Sequence, residues 1–139
     1  MTRTLTLRAA LFALSGCTSV TSMPVSQAIT SEVLLKTTSS WDGTPYTRYP
    51  AGQPELTILR IRVPANAALK WHRHPVPNAA YVVSGRISVQ ARNSLKTIEL
   101  KAGDTLAEMV DSLHRGVTGD EPVELIVFYA GSPTMPLSQ

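Results

Sequence analysis

Past residue 30 the chain alternates short aliphatic and β-branched runs with Gly, Pro, Asn and Asp clusters, the texture of an all-β sandwich or barrel. Residues 55–63 (ELTILRIRV) carry the clearest period of two. Leu59, Ile61 and Val63 share one face, and Arg60 and Arg62 share the other. One face of an antiparallel sheet is commonly wet, so these arginines read as a solvated face or a subunit contact rather than ligand-binding groups. Further strands are predicted over residues 32–38, 69–74, 79–83, 87–91, 97–100, 105–110 and 123–130. The turns between them fall at Trp41-Asp42-Gly43, a Pro/Gly loop over 45–54, Ser84-Gly85 and Ala102-Gly103-Asp104. No segment sustains a period of 3.6, and no repeat is visible. Phe128 and Tyr129, in the last run, read as core.

The chain has 139 residues, 43% of them hydrophobic, enough for one domain with a single core, placed at 31–139. Net charge is +3, from 13 basic and 10 acidic residues. Arg3 and Arg8 supply most of that excess, and no Lys/Arg cluster follows, so no nucleic-acid partner is expected. Residues 1–17 (MTRTLTLRAALFALSGC) read as a targeting segment, with two arginines before an apolar run that ends in small residues. Leu14-Ser15-Gly16-Cys17 resembles the lipobox of bacterial lipoproteins. That resemblance implies cleavage before Cys17, lipid on its thiol, and a membrane anchor in the cell envelope, as a periplasmic or outer-membrane lipoprotein. A start at Met23 would leave a cytoplasmic protein instead. Cys17 is the sole cysteine, so no intramolecular disulfide can form. Residues 18–30 are Ser/Thr-rich and uncharged, and read as a flexible tether.

The candidate chemistry lies in three histidines, the only ones in the chain. His72 and His74 are one residue apart, so in an extended strand both imidazoles project to the same side, about 7 Å apart at the backbone. His114 follows a later strand-turn pattern. Imidazole is the commonest metal ligand, and three rings converging from two strands would make a facial site for a first-row divalent metal. Fe, Mn, Ni, Cu and Zn all suit three imidazoles with an oxygen donor.

Those residues carry a family resemblance. His72-Arg73-His74, then Asn78, then Gly85 resembles the first motif of the cupins (HxH, Glu, six residues, Gly). Gly103-Asp104, with His114 eleven residues after the glycine, resembles the second. The resemblance spans roughly residues 56–129 and implies a double-stranded β-helix (jelly-roll) barrel with a metal in its mouth, and a homodimer. Met109 and Asp111 stand where the family usually has Pro and Gly, and Thr118 where it often has Asn. Asn78 stands where the family supplies a carboxylate, and losing that charge weakens divalent-metal binding. Glu108, six residues before His114, is at a position that is apolar and inward-facing in cupins. A carboxylate buried there needs a cation, so Glu108 is a candidate replacement ligand or a base behind the ligands; a rim carboxylate in water is the alternative. Trp71, Arg73 and Tyr81 are expected to point away from the ligand face.

Two functions follow from the resemblance. One is a metal-dependent enzyme on a small molecule, an oxidoreductase of dioxygenase type or an isomerase. The other is a non-catalytic lipoprotein that holds a metal or small ligand, which the altered Asn78 position favours. No nucleophilic triad, phosphate loop or nucleotide fingerprint offers a competing chemistry.

Overall fold

Period-two alternation becomes a two-layer β structure in the computed structural model, which describes residues 28–139. The targeting segment, Cys17 and most of the tether lie outside the described residues. The chain divides into two units, Met1–Ser31 and Glu32–Gln139. Residues 28–31 of the first unit have no regular secondary structure.

The second unit contains seven strands: β1 Glu55–Val63, β2 Asn78–Ser84, β3 Arg86–Ala91, β4 Thr97–Lys101, β5 Thr105–Ala107, β6 His114–Val117 and β7 Val123–Gly131. They form a four-stranded sheet in the order β1-β7-β2-β5 and a three-stranded sheet in the order β4-β3-β6. All pairings between these strands are antiparallel. The inner faces meet in one core: Val63, Val82, Leu125 and Val127 from the larger sheet pack with Ile87, Val89 and Leu100 from the smaller. The expected all-β jelly-roll architecture is therefore present.

Between β2 and β3 the chain passes from the larger sheet to the smaller at a sharp corner. The β2–β7 register shifts between Val82 and Ser84, and Gly85 follows at φ 79°, a bulge and a left-handed residue that turn the strand across. Arg60 and Arg62 lie on the outer face of β1, where both reach Glu124, at 3.4 and 2.8 Å. All three side chains meet water, so these pairs contribute little to stability.

Four expectations are corrected. Residues 32–38 form no strand; Val33 and Leu34 are exposed. The segment's backbone is held by single bonds rather than a strand partner: the Leu34 carbonyl accepts from Thr105 Oγ1 at 3.1 Å and the Thr38 carbonyl from Tyr46 N–H at 2.9 Å. The strand predicted over 105–110 stops at Ala107, although Glu108 N–H still donates to the Asn78 carbonyl at 3.0 Å. Pro77, next along β2, has no N–H to continue the ladder. Residues 69–74 are not a regular strand but an edge segment bridged to β6 through Ala68 and His72. Phe128 is 38% exposed while Tyr129 is 4% exposed, since neighbours on a strand face opposite sides and only one can enter the core.

Candidate metal centre

A local irregularity aims the first histidine. Ala68 bridges Val117, and His72 bridges His114. Four steps along one segment therefore match three along the other, which places one extra residue between the bridges. Leu69 and His72, three apart, consequently both line the interior. Lys70 is exposed, and Trp71 stacks outside under Arg115 and Arg92, whose guanidinium carbons lie 4.6 and 5.7 Å from its ring. Trp71, Arg73 and Tyr81 point away from the ligands, as expected.

His74 continues the edge segment and makes a bridge to Val110. His114 opens β6 after a turn in which Asp111 adopts φ 54°. That left-handed conformation accounts for the glycine usual at this position, and Asp is among the few other residues that tolerate it. Thr118 closes β6 by donating to the Pro64 carbonyl at 2.6 Å and accepting from Ala67 N–H at 3.0 Å.

The three rings meet. Centroids are 5.0 Å apart for His72–His74, 4.6 Å for His72–His114 and 5.0 Å for His74–His114. One ligand nitrogen from each lies within 4.8 Å of the others. Two donors bonded to one transition-metal ion lie at most about 4.2 Å apart, so the spacing approaches what a single ion requires and the rings would draw in to share it. Each Nδ1 faces a backbone carbonyl: Lys70 at 2.9 Å, Leu137 at 2.7 Å and Ser112 at 2.8 Å. A carbonyl only accepts, so each Nδ1 carries the hydrogen and each Nε2 keeps its lone pair for a metal.

Glu108 lies beside the triad. Its Oε2 lies 3.3 Å from His114 Nε2, with side-chain exposures of 12% and 2%. Neither atom has a hydrogen-bond partner. A neutral His114 with its proton on Nδ1 would present a lone pair to a carboxylate oxygen, an arrangement that calls for a proton or a cation. Burial opposes charging His114, but the nearby Glu108 carboxylate, with the Ser112 carbonyl, outweighs it and raises its pKa. His74 moves the other way: burial lowers its pKa, only partly offset by Glu108 and the Leu137 carbonyl. Burial and then Glu108 push Tyr129, whose ring lies 5.5 Å from His74, up to about 12. The chemistry of this set, three Nε2 lone pairs beside an orphaned carboxylate oxygen, fits a transition-metal ion.

The site opens onto a cavity of about 60 Å3 that contains His72, His74, His114, Glu108 and Tyr129 and is otherwise walled by apolar side chains and Gly116. Asn78 is not among its lining residues. It is buried, its Nδ2 donates to the Val76 carbonyl at 3.1 Å, and its Oδ1 has no partner.

Sequence reasoning missed the C-terminal segment. Leu137 supplies the carbonyl that orients His74, and Gln139 and Arg73 exchange two backbone hydrogen bonds of 3.0 Å. Backbone carbonyls have no residue signature, so only the apolar Met135 and Leu137, which pack on the core, could have signalled docking here. Removing residues 137–139 is expected to lower metal affinity by about 10–100-fold, as loss of a ligand-orienting contact does. Unchanged affinity in a metal titration of the truncated chain would show that His74 needs no such support.

The family described as the cupin domain matches residues 59–129. No curated protein matches the chain. Three of the similar solved structures are enzymes. DMSP lyase DddQ from Ruegeria pomeroyi DSS-3 aligns with TM-score 0.55 and 18% identity, over 70% of this chain and 46% of that one. Polyketide cyclase RemF from Streptomyces resistomycificus aligns with TM-score 0.53 and 19% identity, over 60% and 58%. Oxalate decarboxylase from Lactobacillus farciminis aligns with TM-score 0.52 and 21% identity, over 60% and 26%. The chain spans less than two thirds of each of these proteins, and the likeness is one of fold. With its match over residues 59–129 and a clustered histidine triad, the chain belongs to the cupin family.

Proposed function

We propose that this cupin is a metal-dependent enzyme acting on a small molecule, an oxidoreductase of dioxygenase type or an isomerase. His72, His74, His114 and Glu108 would hold a divalent ion of Fe, Mn, Ni, Cu or Zn. The observation that carries the reading is the unpartnered Glu108 oxygen 3.3 Å from His114 Nε2. It supplies the carboxylate that Asn78 lacks, and so removes the ground for preferring a non-catalytic binder. When bound, the ion supplies Lewis acidity and, for redox-active metals, electron transfer.

The chain's own residues do the rest. Three backbone carbonyls lock the rings, so the ligands are positioned before anything binds. The apolar wall limits water, which strengthens each polar interaction inside. Glu108 can take a proton from a bound molecule, and Tyr129, held protonated, can donate a hydrogen bond. A cavity of about 60 Å3 admits only a small group beside the ligands, so a larger substrate would present one end. We further place the chain in the cell envelope, anchored at Cys17, which mass spectrometry of the mature protein tests.

Glu108→Gln keeps the shape and removes the charge. It is expected to weaken metal binding by about tenfold or more and to lower turnover further where Glu108 moves a proton. Oxygen uptake or product formation with a panel of small organic substrates, dependent on added metal and lost in His72→Ala, supports the enzyme. Metal binding with no turnover in any of these would leave a metal-holding protein instead.

A further inference from the structure

A second and larger cleft lies on the other side of the four-stranded sheet. Residues 35–38 and 46–49, with Pro77, Ala79, Ala107, Phe128 and Ala130, line an open groove of about 490 Å3. Phe128 and Ala130 alternate along β7 with Tyr129 and Val127, which line the metal cavity. The groove is therefore the outer face of the sheet whose inner face carries the centre.

Its walls are anchored. Thr105 Oγ1 donates to the Leu34 carbonyl at 3.1 Å, Trp41 N–H to the Ala107 carbonyl at 2.9 Å, and Tyr46 Oη to the Glu108 carbonyl at 2.6 Å. A groove pinned at three points exists before a ligand arrives, which lowers the ordering cost of binding. Its charge is one-sided. Lys36 and Arg48 line it, and no Asp or Glu does. Among the described residues neither cation has an ion-pair partner.

We propose that this groove binds a small organic monocarboxylate with an apolar body. The carboxylate sits by Arg48 and Lys36, and the body lies on Phe128 and the alanine floor. The guanidinium fork matches a carboxylate in geometry, and the apolar floor gains by covering. Two unopposed cations disfavour a neutral or cationic occupant, and a groove of this volume suits a small molecule. The site is separate from the metal centre and does not depend on what the histidines hold.

The test is calorimetric titration of the full chain with decanoate, 1-decanol and decyltrimethylammonium. Decanoate should bind saturably, one per chain, and at least about tenfold more tightly than the alcohol or the ammonium. Arg48→Gln should weaken it by about tenfold. Ala79→Trp, which fills the groove from an outward-facing position, should abolish it while metal affinity stays unchanged. The Lys36→Glu/Arg48→Glu double variant should prefer decyltrimethylammonium, an outcome that does not depend on filling the groove. Equal binding of acid and alcohol, or no saturation by decanoate, overturns the proposal. So does binding that survives Ala79→Trp, or a dimer in ultracentrifugation that this variant separates, since a second copy would then occupy the groove.

Discussion

His114→Ala is expected to strip the centre. The variant should lose more than about 100-fold in affinity for Mn, Fe, Ni, Cu or Zn ions, because removing even the groups that orient a ligand costs about 10–100-fold. His114 is the member of the triad that touches the carboxylate, at 3.3 Å, and it is 2% exposed. Its loss therefore removes a ligand and also leaves the largely buried Glu108 carboxylate without the imidazole it faces at 3.3 Å. The second effect acts on the metal-free protein, so it can be read apart from the first. Thermal unfolding without metal should show His114→Ala less stable than the His114→Ala/Glu108→Gln pair, in which no buried charge is stranded. Isothermal titration with each ion measures the first effect. Affinity within threefold of the parent chain would place the metal elsewhere.

Gly85→Ala is expected to damage the fold more than any other single-methyl change at a turn. Gly85 has φ 79°, and a Cβ there would overlap the Pro122 carbonyl oxygen and reach Val123 Cα at 3.0 Å. Both obstacles are backbone, so neither can rotate away, and left-handed strain adds to them. A loss of at least about 3 kcal/mol follows, a fall of more than about 10 °C in the unfolding midpoint for a domain of this size. Gly43 is the comparison. It also has positive φ, 96°, but a Cβ there meets nothing within 4 Å, so Gly43→Ala should cost only about 1 kcal/mol. Equal midpoints for the two variants would show that the corner at Gly85 yields easily.

Much of this was legible in the chain because burial and strand geometry write a period of two. Residues 55–63 match β1 from end to end, and 79–83, 87–91, 97–100 and 123–130 each sit inside an observed strand. His72, His74 and His114 were visible as a set because ligand chemistry restricts residue type. Other features left weaker marks. β6 has only four residues with Gly116 among them, too short and too glycine-interrupted to show a period. In β7 the outward residues Ile126 and Phe128 are as apolar as the inward Leu125 and Val127, so composition could not tell which side Phe128 takes. The bulge between Ala68 and His72 depends on the partner strand's register, which no local segment encodes. Glu108 was readable as a buried carboxylate in need of a cation, but its closeness to His114 is a tertiary fact.

The most direct test is elemental analysis of the chain purified from its own expression host without a histidine tag, read beside the His72→Ala and His114→Ala variants. One equivalent of a single transition metal per parent chain, and none in either variant, is the expected result. A parent chain that emerges without metal and takes up none of the five candidate ions at micromolar concentration would mean that the three imidazoles and Glu108 are no metal centre.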